Sequence, residues 1–502
     1  MLELNPVAAR RVLVASVLTV ALAACMVGPD HVRPSTPVAA RFVHEPAEPL
    51  TLAPQPLPDA DFWNAFDDPM LTHLVDEALL ANHDLRIALT HFDRANALLR
   101  GAGLDRFPTI TAGAEGADAR ASADQAPGLA RGERDGERYS AGIEMAWELD
   151  LFGRVRRGVE SQRAEAAASA ADLAALQVAI VAEVGRSYIE LRGLQERLQV
   201  ARDNAANQRE TLRIVQARLD AGSATGFDRA RASAQLEATL ARVPALEAEA
   251  AVLIHRLAVL AGKTPGALAV DLARPAGLPA LPTPVDPGTP GELLRRRPDI
   301  AAAEQRLHAA TARIGVVTAD LFPRFTLGGL IGSQAIDAGD LFERDSETRL
   351  VALGIDWSFL DVGRVRARIA AANADAAGEL ARYQKTVALA LEESENALVR
   401  YRNTRIEDSH LQQAAEDSTR AAGLARLRYD AGATGLLEVL DAERNPPAGA
   451  GCLGRRAHPR GHRRDRGLQG DGGRLALADS GAGGCRLDPV SRRAREGPRR
   501  SM

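Results

Sequence analysis

The stretch WELDLFGRVRRG, Trp147–Gly158, returns 210 residues later (357 − 147) as WSFLDVGRVRAR, Trp357–Arg368. Each copy places aromatic residues and an Asp ahead of Gly-Arg-Val-Arg and a long Ala-rich run. Working outward from this pair, NHDLRIALTHFDRANALLRGAGLDRFPTITAG from Asn82 aligns with RPDIAAAEQRLHAATARIGVVTADLFPRFTLGG from Arg297. Phe107-Pro108 then matches Phe322-Pro323, an offset of 215 (322 − 107). Downstream, RLDAGSATGFDRARA from Arg218 aligns with RYDAGATGLLEVLDAER from Arg428, again 210 apart (428 − 218). The change of offset falls in the polar segment between Phe-Pro and Trp. The chain is therefore a tandem duplication whose variable part is a loop.

Both units predict one order of elements. A helix (about 70–104, and about 290–320) stops at Phe-Pro, because proline disfavours helix at the residue before it. Two alternating stretches around a polar loop follow and read as β-hairpins, at 107–147 and 322–357. A long helical hairpin ends each unit, at 153–262 and, incompletely, at 363–444. From Arg156 to Asp220 there is no proline. Steps of four and three from Leu173 meet Ile180, Val184, Leu191, Leu194, Leu198, Leu212, Val215 and Leu219, a coiled-coil seam with small residues between. Such a helix spans roughly 100 Å, more than a compact domain needs. A plain coiled-coil scaffold would show the same periodicity.

Composition narrows the class. The chain of 502 residues is 46% hydrophobic but 4% aromatic, which suits long packed helices better than a sandwich. A net charge of −4 gives no electrostatic case for nucleic acid. Residues 1–24 read as a signal peptide: Arg10 and Arg11, then the apolar run Val12–Ala24, too short to span a bilayer. The run ends in LAAC, Leu22–Cys25, which resembles a bacterial lipobox and implies lipidation of Cys25; the alternative is an ordinary signal peptide with a chance Cys. Met26 in place of Asp points by analogy to the outer membrane. The other two cysteines are Cys452 and Cys485, so the body from 26 to 451 relies on packing or assembly rather than disulfides. His31, His44, His73, His83 and His91 show no metal-ligand spacing, and neither a phosphate loop nor a nucleophile elbow is present.

The hairpins discriminate further. Their strands alternate small and apolar residues, with Trp147, Phe152, Trp357 and Phe359 near one end. That alternation suits lipid on one side and water on the other. Four strands cannot close a barrel with a useful lumen, so a membrane-spanning version needs other copies to pair its edges. Two soluble hairpins packed on the helices are the alternative.

With these elements in place, CMVGPDHVRP from Cys25, FWNAFDDPMLTHLVDEALLANHDLRIAL from Phe62, RRRPDIAAAEQRL from Arg295, WELDLFGRVRR and RYDAGATGLLEVLDAER together resemble lipoproteins of the TolC-like outer-membrane efflux family, from Cys25 to about Arg444. The resemblance implies a mainly α fold with a β-barrel portion: a homotrimer sharing a 12-stranded outer-membrane barrel, four strands per chain, above a periplasmic tunnel of antiparallel coiled-coil helices. It implies a passive exit duct for drugs or other small molecules, supplied by a periplasmic adaptor and an inner-membrane RND-type transporter, with no catalytic residue and no cofactor. The organisation is then a signal peptide (1–24), a lipidated extended segment (25–69), a first repeat (70–285), a second repeat (286–444) and a tail (445–502).

The same resemblance points to the helical-hairpin tips, DAGSATGFDR (220–229) and DAGATGLLEVLD (430–441). It implies periplasmic gate acids at Asp228, Glu438 and Asp441, and adaptor docking at Asp220, Gly222, Thr225, Asp430, Gly432 and Thr434. The family's Arg two residues after the second tip Gly is Thr434 here, which puts a salt bridge through that position in doubt. Helix N-terminal acids favoured by the dipole are the other reading of Asp228 and Glu438.

The tail departs from the repeat. The 210 offset predicts a partner for the amphipathic stretch Ala234–Gly262, yet Asn445 onward is rich in Arg, Gly and Pro, with Pro446-Pro447 as a helix breaker. A disordered basic tail is one reading; a shifted reading frame in a GC-rich gene is the preferred one, and it predicts poor assembly for want of the last return helix. The function classes left open are an outer-membrane transport duct, a non-transporting structural lipoprotein of the cell envelope, and a non-functional frameshifted allele.

Overall fold

The structure is a computed structural model that describes residues 26–44, 62–279 and 288–444. The signal segment, Cys25 and the tail 445–502 lie outside the described residues, as do 45–61 and 280–287.

The first unit runs α1 (Pro69–Ala81), α2 (His83–Leu104), β1 (Thr109–Arg120), β2 (Asp135–Leu149), α3 (Arg154–Asp220), α4 (Gly226–Leu240), α5 (Arg242–Leu260) and a short α6 (Ala269–Ala273). The second runs α7 (Pro290–Arg296), α8 (Pro298–Ala319), β3 (Arg324–Ala335), β4 (Glu347–Asp356), α9 (Val362–Asp430) and α10 (Leu436–Arg444).

The opening helix of each unit is broken where the sequence predicts one continuous helix, and the breaks are equivalent. Asn82 sits extended between α1 and α2 (φ −60°, ψ 131°). Its side-chain oxygen accepts the Asp84 and Leu85 N–H groups at 2.8 and 3.1 Å. Its amide donates to the Leu260 carbonyl at 2.9 Å, so the cap also ties α2 to α5. Arg297 occupies the matching place (φ −70°, ψ 120°), because Pro298 excludes helix from the residue before it. Its guanidinium bridges Asp299 and, at 2.8 Å, Glu393 of α9.

The duplicated Trp has a duplicated task. Trp147 donates its indole N–H to the Arg106 carbonyl at 3.0 Å, and Trp357 donates to the Leu321 carbonyl at 3.0 Å. Each carbonyl immediately precedes a Phe-Pro pair, where the ending helix leaves acceptors without intrahelical donors. Each Trp thus fastens the end of its hairpin to the end of its opening helix.

The four strands form one antiparallel sheet in the order β1-β2-β3-β4, with β1 and β4 as edges. The register pairs Ile110 with Met145, Met145 with Gly329 and Gly329 with Val351; one row over, Trp147 pairs with Leu327 and Leu327 with Leu353. Because side chains alternate, these residues share one apolar face. Thr111, Glu144, Leu330 and Leu350 pair across the other face, which also carries Glu115, Arg138 and Gln334.

The core lies below the sheet, around α3. Leu71, Leu74 and Ala78 of α1, Val184, Tyr188 and Leu191 of α3, and Leu257 and Leu260 of α5 are buried together. Each fully buried Leu contributes about 1.5–3 kcal/mol. Gly185 admits Trp63 so closely that a Cβ would lie 2.2 Å from the indole. Of the seam read from the sequence, Ile180, Val184, Leu191, Leu194 and Val215 are buried. The return helix breaks at Ala241 between α4 and α5. Pro244 cannot donate to the Leu240 carbonyl, which accounts for the break.

The two long helices differ in how they are covered. α3 is 67 residues long and buries side chains as far as Val215. α9 is 69 residues long and buries none beyond Ala390 among the described residues. At roughly 1.5 Å per residue both reach about 100 Å.

Candidate functional site

The two hairpin tips are built from one backbone device. After α3, Gly222 takes φ +74°, its N–H meeting the Leu219 carbonyl at 2.9 Å while the Ser223 N–H reaches Arg218 at 2.8 Å. After α9, Gly432 takes φ +70°, its N–H meeting Tyr429 at 3.0 Å while Ala433 reaches Arg428 at 2.8 Å. Both are Schellman closures, and both need a residue without a Cβ at positive φ. Asp220 and Asp430 stand exposed at the last helical position before them.

The threonines of the tips are not equivalent. Thr225 caps α4: its hydroxyl oxygen accepts the Asp228 N–H at 3.2 Å, and Asp228 accepts the Thr225 N–H at 3.0 Å and its hydroxyl at 2.7 Å. This reciprocal box holds the Asp228 carboxyl below the ordinary carboxylate range, the Thr225 hydroxyl first and its N–H second. In the second tip, Thr434 comes one residue early, so Gly435 sits where the cap belongs. The Thr434 hydroxyl is buried without a hydrogen-bond partner. The Glu438 N–H falls back on the Gly435 carbonyl at 3.2 Å. Asp228 is thus engaged as a cap within its own helix, while Glu438 and Asp441 stand exposed on α10.

The contact that joins the tips escaped sequence reading. The Arg218 guanidinium lies over the Tyr429 ring, 4.0 Å from its centroid. Tyr429, like Leu212, also packs against the buried pair Val215 and Ala232. Arg218 and Tyr429 are out of step by one in the repeat, for Arg218 aligns with Arg428 and Leu219 with Tyr429. The replacement of an aliphatic by an aromatic residue in RYDAG was the available signal.

At the other end, the residues after Cys25 form a strap seated beneath the sheet. The Val27 N–H donates to the Phe152 carbonyl at 3.2 Å. Arg157, 1% exposed, donates to the Val27 carbonyl at 3.2 Å, to the Gly28 carbonyl at 3.3 Å, to Asp30 at 2.7 Å and to Glu160 at 2.9 Å. Met26 packs where Gly153 leaves room, since a Cβ on Gly153 would lie 2.5 Å from it. Phe152 stacks on Phe322 at 4.6 Å, joining the two repeats at this level. Cys25 itself lies outside the described residues, one residue before this seat. Among the described residues, no three His, Cys, Asp or Glu side chains lie together as a metal site would require.

A sequence model described as "Outer membrane efflux protein" matches residues 74–263 and 289–446, the two repeats. Outer membrane protein OprJ of Pseudomonas aeruginosa is 33% identical over 443 residues, covering 86% of this chain and 89% of OprJ. Nodulation protein T of Rhizobium leguminosarum bv. trifolii is 30% identical, covering 84% of this chain and 89% of that protein. Among solved structures, the outer-membrane channel OprN superposes with a TM-score of 0.79 at 41% identity, covering 86% of this chain and 95% of OprN.

Proposed function

The chain belongs to the outer membrane efflux protein family, and from that premise we propose that it is one third of a passive exit duct in the outer membrane. The observation that carries this reading is an open four-stranded sheet on top of helices about 100 Å long. Three copies pair β4 of one with β1 of the next, closing a 12-stranded barrel with no free edge. The apolar face with Ile110, Met145, Trp147, Leu327 and Leu353 then meets lipid, and the face with Glu115, Glu144 and Thr111 lines water. The duct accepts small molecules from a periplasmic adaptor and an inner-membrane transporter of the RND type, and it performs no catalysis.

The tips form the periplasmic entrance. Tyr429 and Arg218 hold the two hairpins of one protomer together, while Glu438 and Asp441 face outward as gate acids. The exposed turns at Asp220, Gly222, Asp430 and Gly432 receive the adaptor. Thr225 serves this surface through its cap, and Thr434 forms the neighbouring wall. Cys25 is the lipidation site. In support of this, Met26, the residue after it, begins a strap seated against Gly153 and Phe152, where β2 gives way to α3.

A second reading has its own observation. The first family match runs to Lys263 but the second stops at Pro446, where Arg, Gly and Pro replace an amphipathic pattern. The described part of α9 correspondingly buries nothing below Ala390. On this reading the sequence after Arg444 comes from a shifted frame, and the chain lacks the helix that should return along α9.

Expression of the chain with and without a restored return helix tests both readings. Heat-modifiable trimers in outer-membrane fractions that conduct solutes in a planar bilayer are the expected result for the restored chain. A helical oligomer without conductance would replace the duct with a structural lipoprotein.

A further inference from the structure

The two charges that flank His31 on the strap are both matched. Asp30 meets Arg157 at 2.7 Å, and Arg33 meets Glu304 of α8 at 3.0 Å. Between them His31 lies flat on His308 of α8, ring centroids 4.5 Å apart and planes 14° from parallel. His308 has a carboxylate opposite it, with its Nε2 2.9 Å from Glu160 of α3. His31 does not: its Nε2 is buried without a hydrogen-bond partner.

Two stacked imidazoles coexist while one of them is neutral. Two imidazolium rings at this separation repel, and a buried charged N–H without an acceptor is costly. We propose that His31 is an acid-sensitive catch, which seats Met26–Arg33 between α3 and α8 when neutral and releases this part of the strap when protonated.

The surroundings agree with that direction. Burial, and then His308, hold the His31 imidazole below its ordinary value, against the opposing pull of Glu304 and Glu160. The charged groups facing it are Arg157 and Glu160 from α3, Glu304 and His308 from α8, and Asp30 and Arg33 from the strap. Neither carboxylate is idle, since Glu304 holds Arg33 and Glu160 holds Arg157 and His308. A base whose folded value is depressed stabilises the docked state above its ordinary value of 6.5. That contribution is lost as the pH falls through 6.5 toward the folded value.

The far end of the strap is held by a carboxylate. His44 Nδ1 lies 3.2 Å from Glu395 Oε2, and the Val43 N–H donates to Oε1 at 2.8 Å. Against the upward push of burial, these two contacts hold Glu395 below its ordinary value. These bonds keep Val43–His44 on Glu395 of α9, so acid peels the strap from its Met26 end and leaves Val43–His44 as the hinge. The catch depends on the protomer's own packing and not on conduction, so its test stands whatever becomes of the duct.

The test is amide hydrogen exchange on the full chain in detergent, corrected for intrinsic exchange, from about pH 7.5 to about pH 5. Protection of Met26–Arg33 is expected to fall up to about tenfold per pH unit below 6.5 while that of Val43–His44 holds. His31→Phe keeps a ring on His308 without the titration and is expected to flatten the profile. Unchanging protection of Met26–Arg33 in the unsubstituted chain would overturn the proposal, and so would a fall that His31→Phe retains. Should the variant fail to fold, the profile of the unsubstituted chain still decides.

Discussion

Replacing Gly28 by Ala should unseat the strap while leaving the helical body intact. Gly28 has φ +90°, a conformation that costs a residue with a Cβ about 1–2 kcal/mol. The added Cβ would also lie 2.4 Å from the Cα of Gly315, which is backbone within α8 and cannot rotate aside. Restoring ordinary contact means moving the strap by about 1 Å. The Arg157 bonds to the Val27 and Gly28 carbonyls are already 3.2 and 3.3 Å long, and a move of that size breaks them, at about 1 kcal/mol each. The sum is about 3–4 kcal/mol, which opens the strap roughly 100- to 1,000-fold more often. Hydrogen exchange at about pH 7.5 reads this directly in Met26–Arg33, with the amides of α3 as the internal reference. Protection in the variant within about threefold of the unsubstituted chain would refute the seating described here. Gly101→Ala is the control: its Cβ meets nothing within 4 Å in α2, and helix propensity alone should make it neutral or stabilising by up to about 1 kcal/mol.

Other expectations concern the core, the tips and the anchor. Burial, and then the Asp68 carboxylate that accepts its proton at 2.7 Å, push Tyr188 up to about 12. Its contribution is complete below its ordinary value of 10 and is lost as the pH rises toward 12, so Tyr188→Phe should remove that component of alkaline unfolding, followed by circular dichroism. A double-mutant cycle of Arg218→Ala and Tyr429→Ala, read by proteolysis of the tips, should give a coupling of about 0.5–1 kcal/mol; zero coupling would reduce the contact to coincidence. Asp228→Asn should loosen the start of α4 at neutral pH and make no difference once acid has protonated Asp228, because the cap's contribution is lost as the pH falls through the lowered folded value. Cys25→Ser should abolish incorporation of labelled palmitate, whereas label retained in the variant would place the anchor elsewhere.

Much of the architecture was legible because it was written twice. The repeated Trp, Phe-Pro and Asp-Ala-Gly fixed the order of elements, and alternation separated the hairpins from the 3.5-residue seam of α3. What escaped was set by single side chains acting on distant backbone. Asn82 breaks the opening helix by capping Asp84 and Leu85 and by its bond to Leu260; Asn is a favoured N-cap residue, but the apolar pattern runs on through it. Pro298 did mark the equivalent break at Arg297, yet the helical pattern on either side outweighed it. At the tips, matching Thr225 to Thr434 by motif obscured a one-residue slip, which only the cap geometry reveals. The strap was legible solely as an extended segment, because its seat depends on Gly28 meeting Gly315 of α8 and Met26 meeting Gly153 at the start of α3. Its anchoring cation, Arg157, lies within the repeated phrase itself, where Ala367 stands in the second copy, so the difference between the copies was the clue.

The central claim is that three copies of this sheet close into a conducting barrel. Planar-bilayer recording on the oligomer purified from outer membranes, with a return helix along α9 supplied in place of residues 445–502, tests it most directly. Discrete conductance steps of uniform size are predicted, with few or unstable steps from the chain as written. A restored, membrane-inserted oligomer that carries no current would contradict the account.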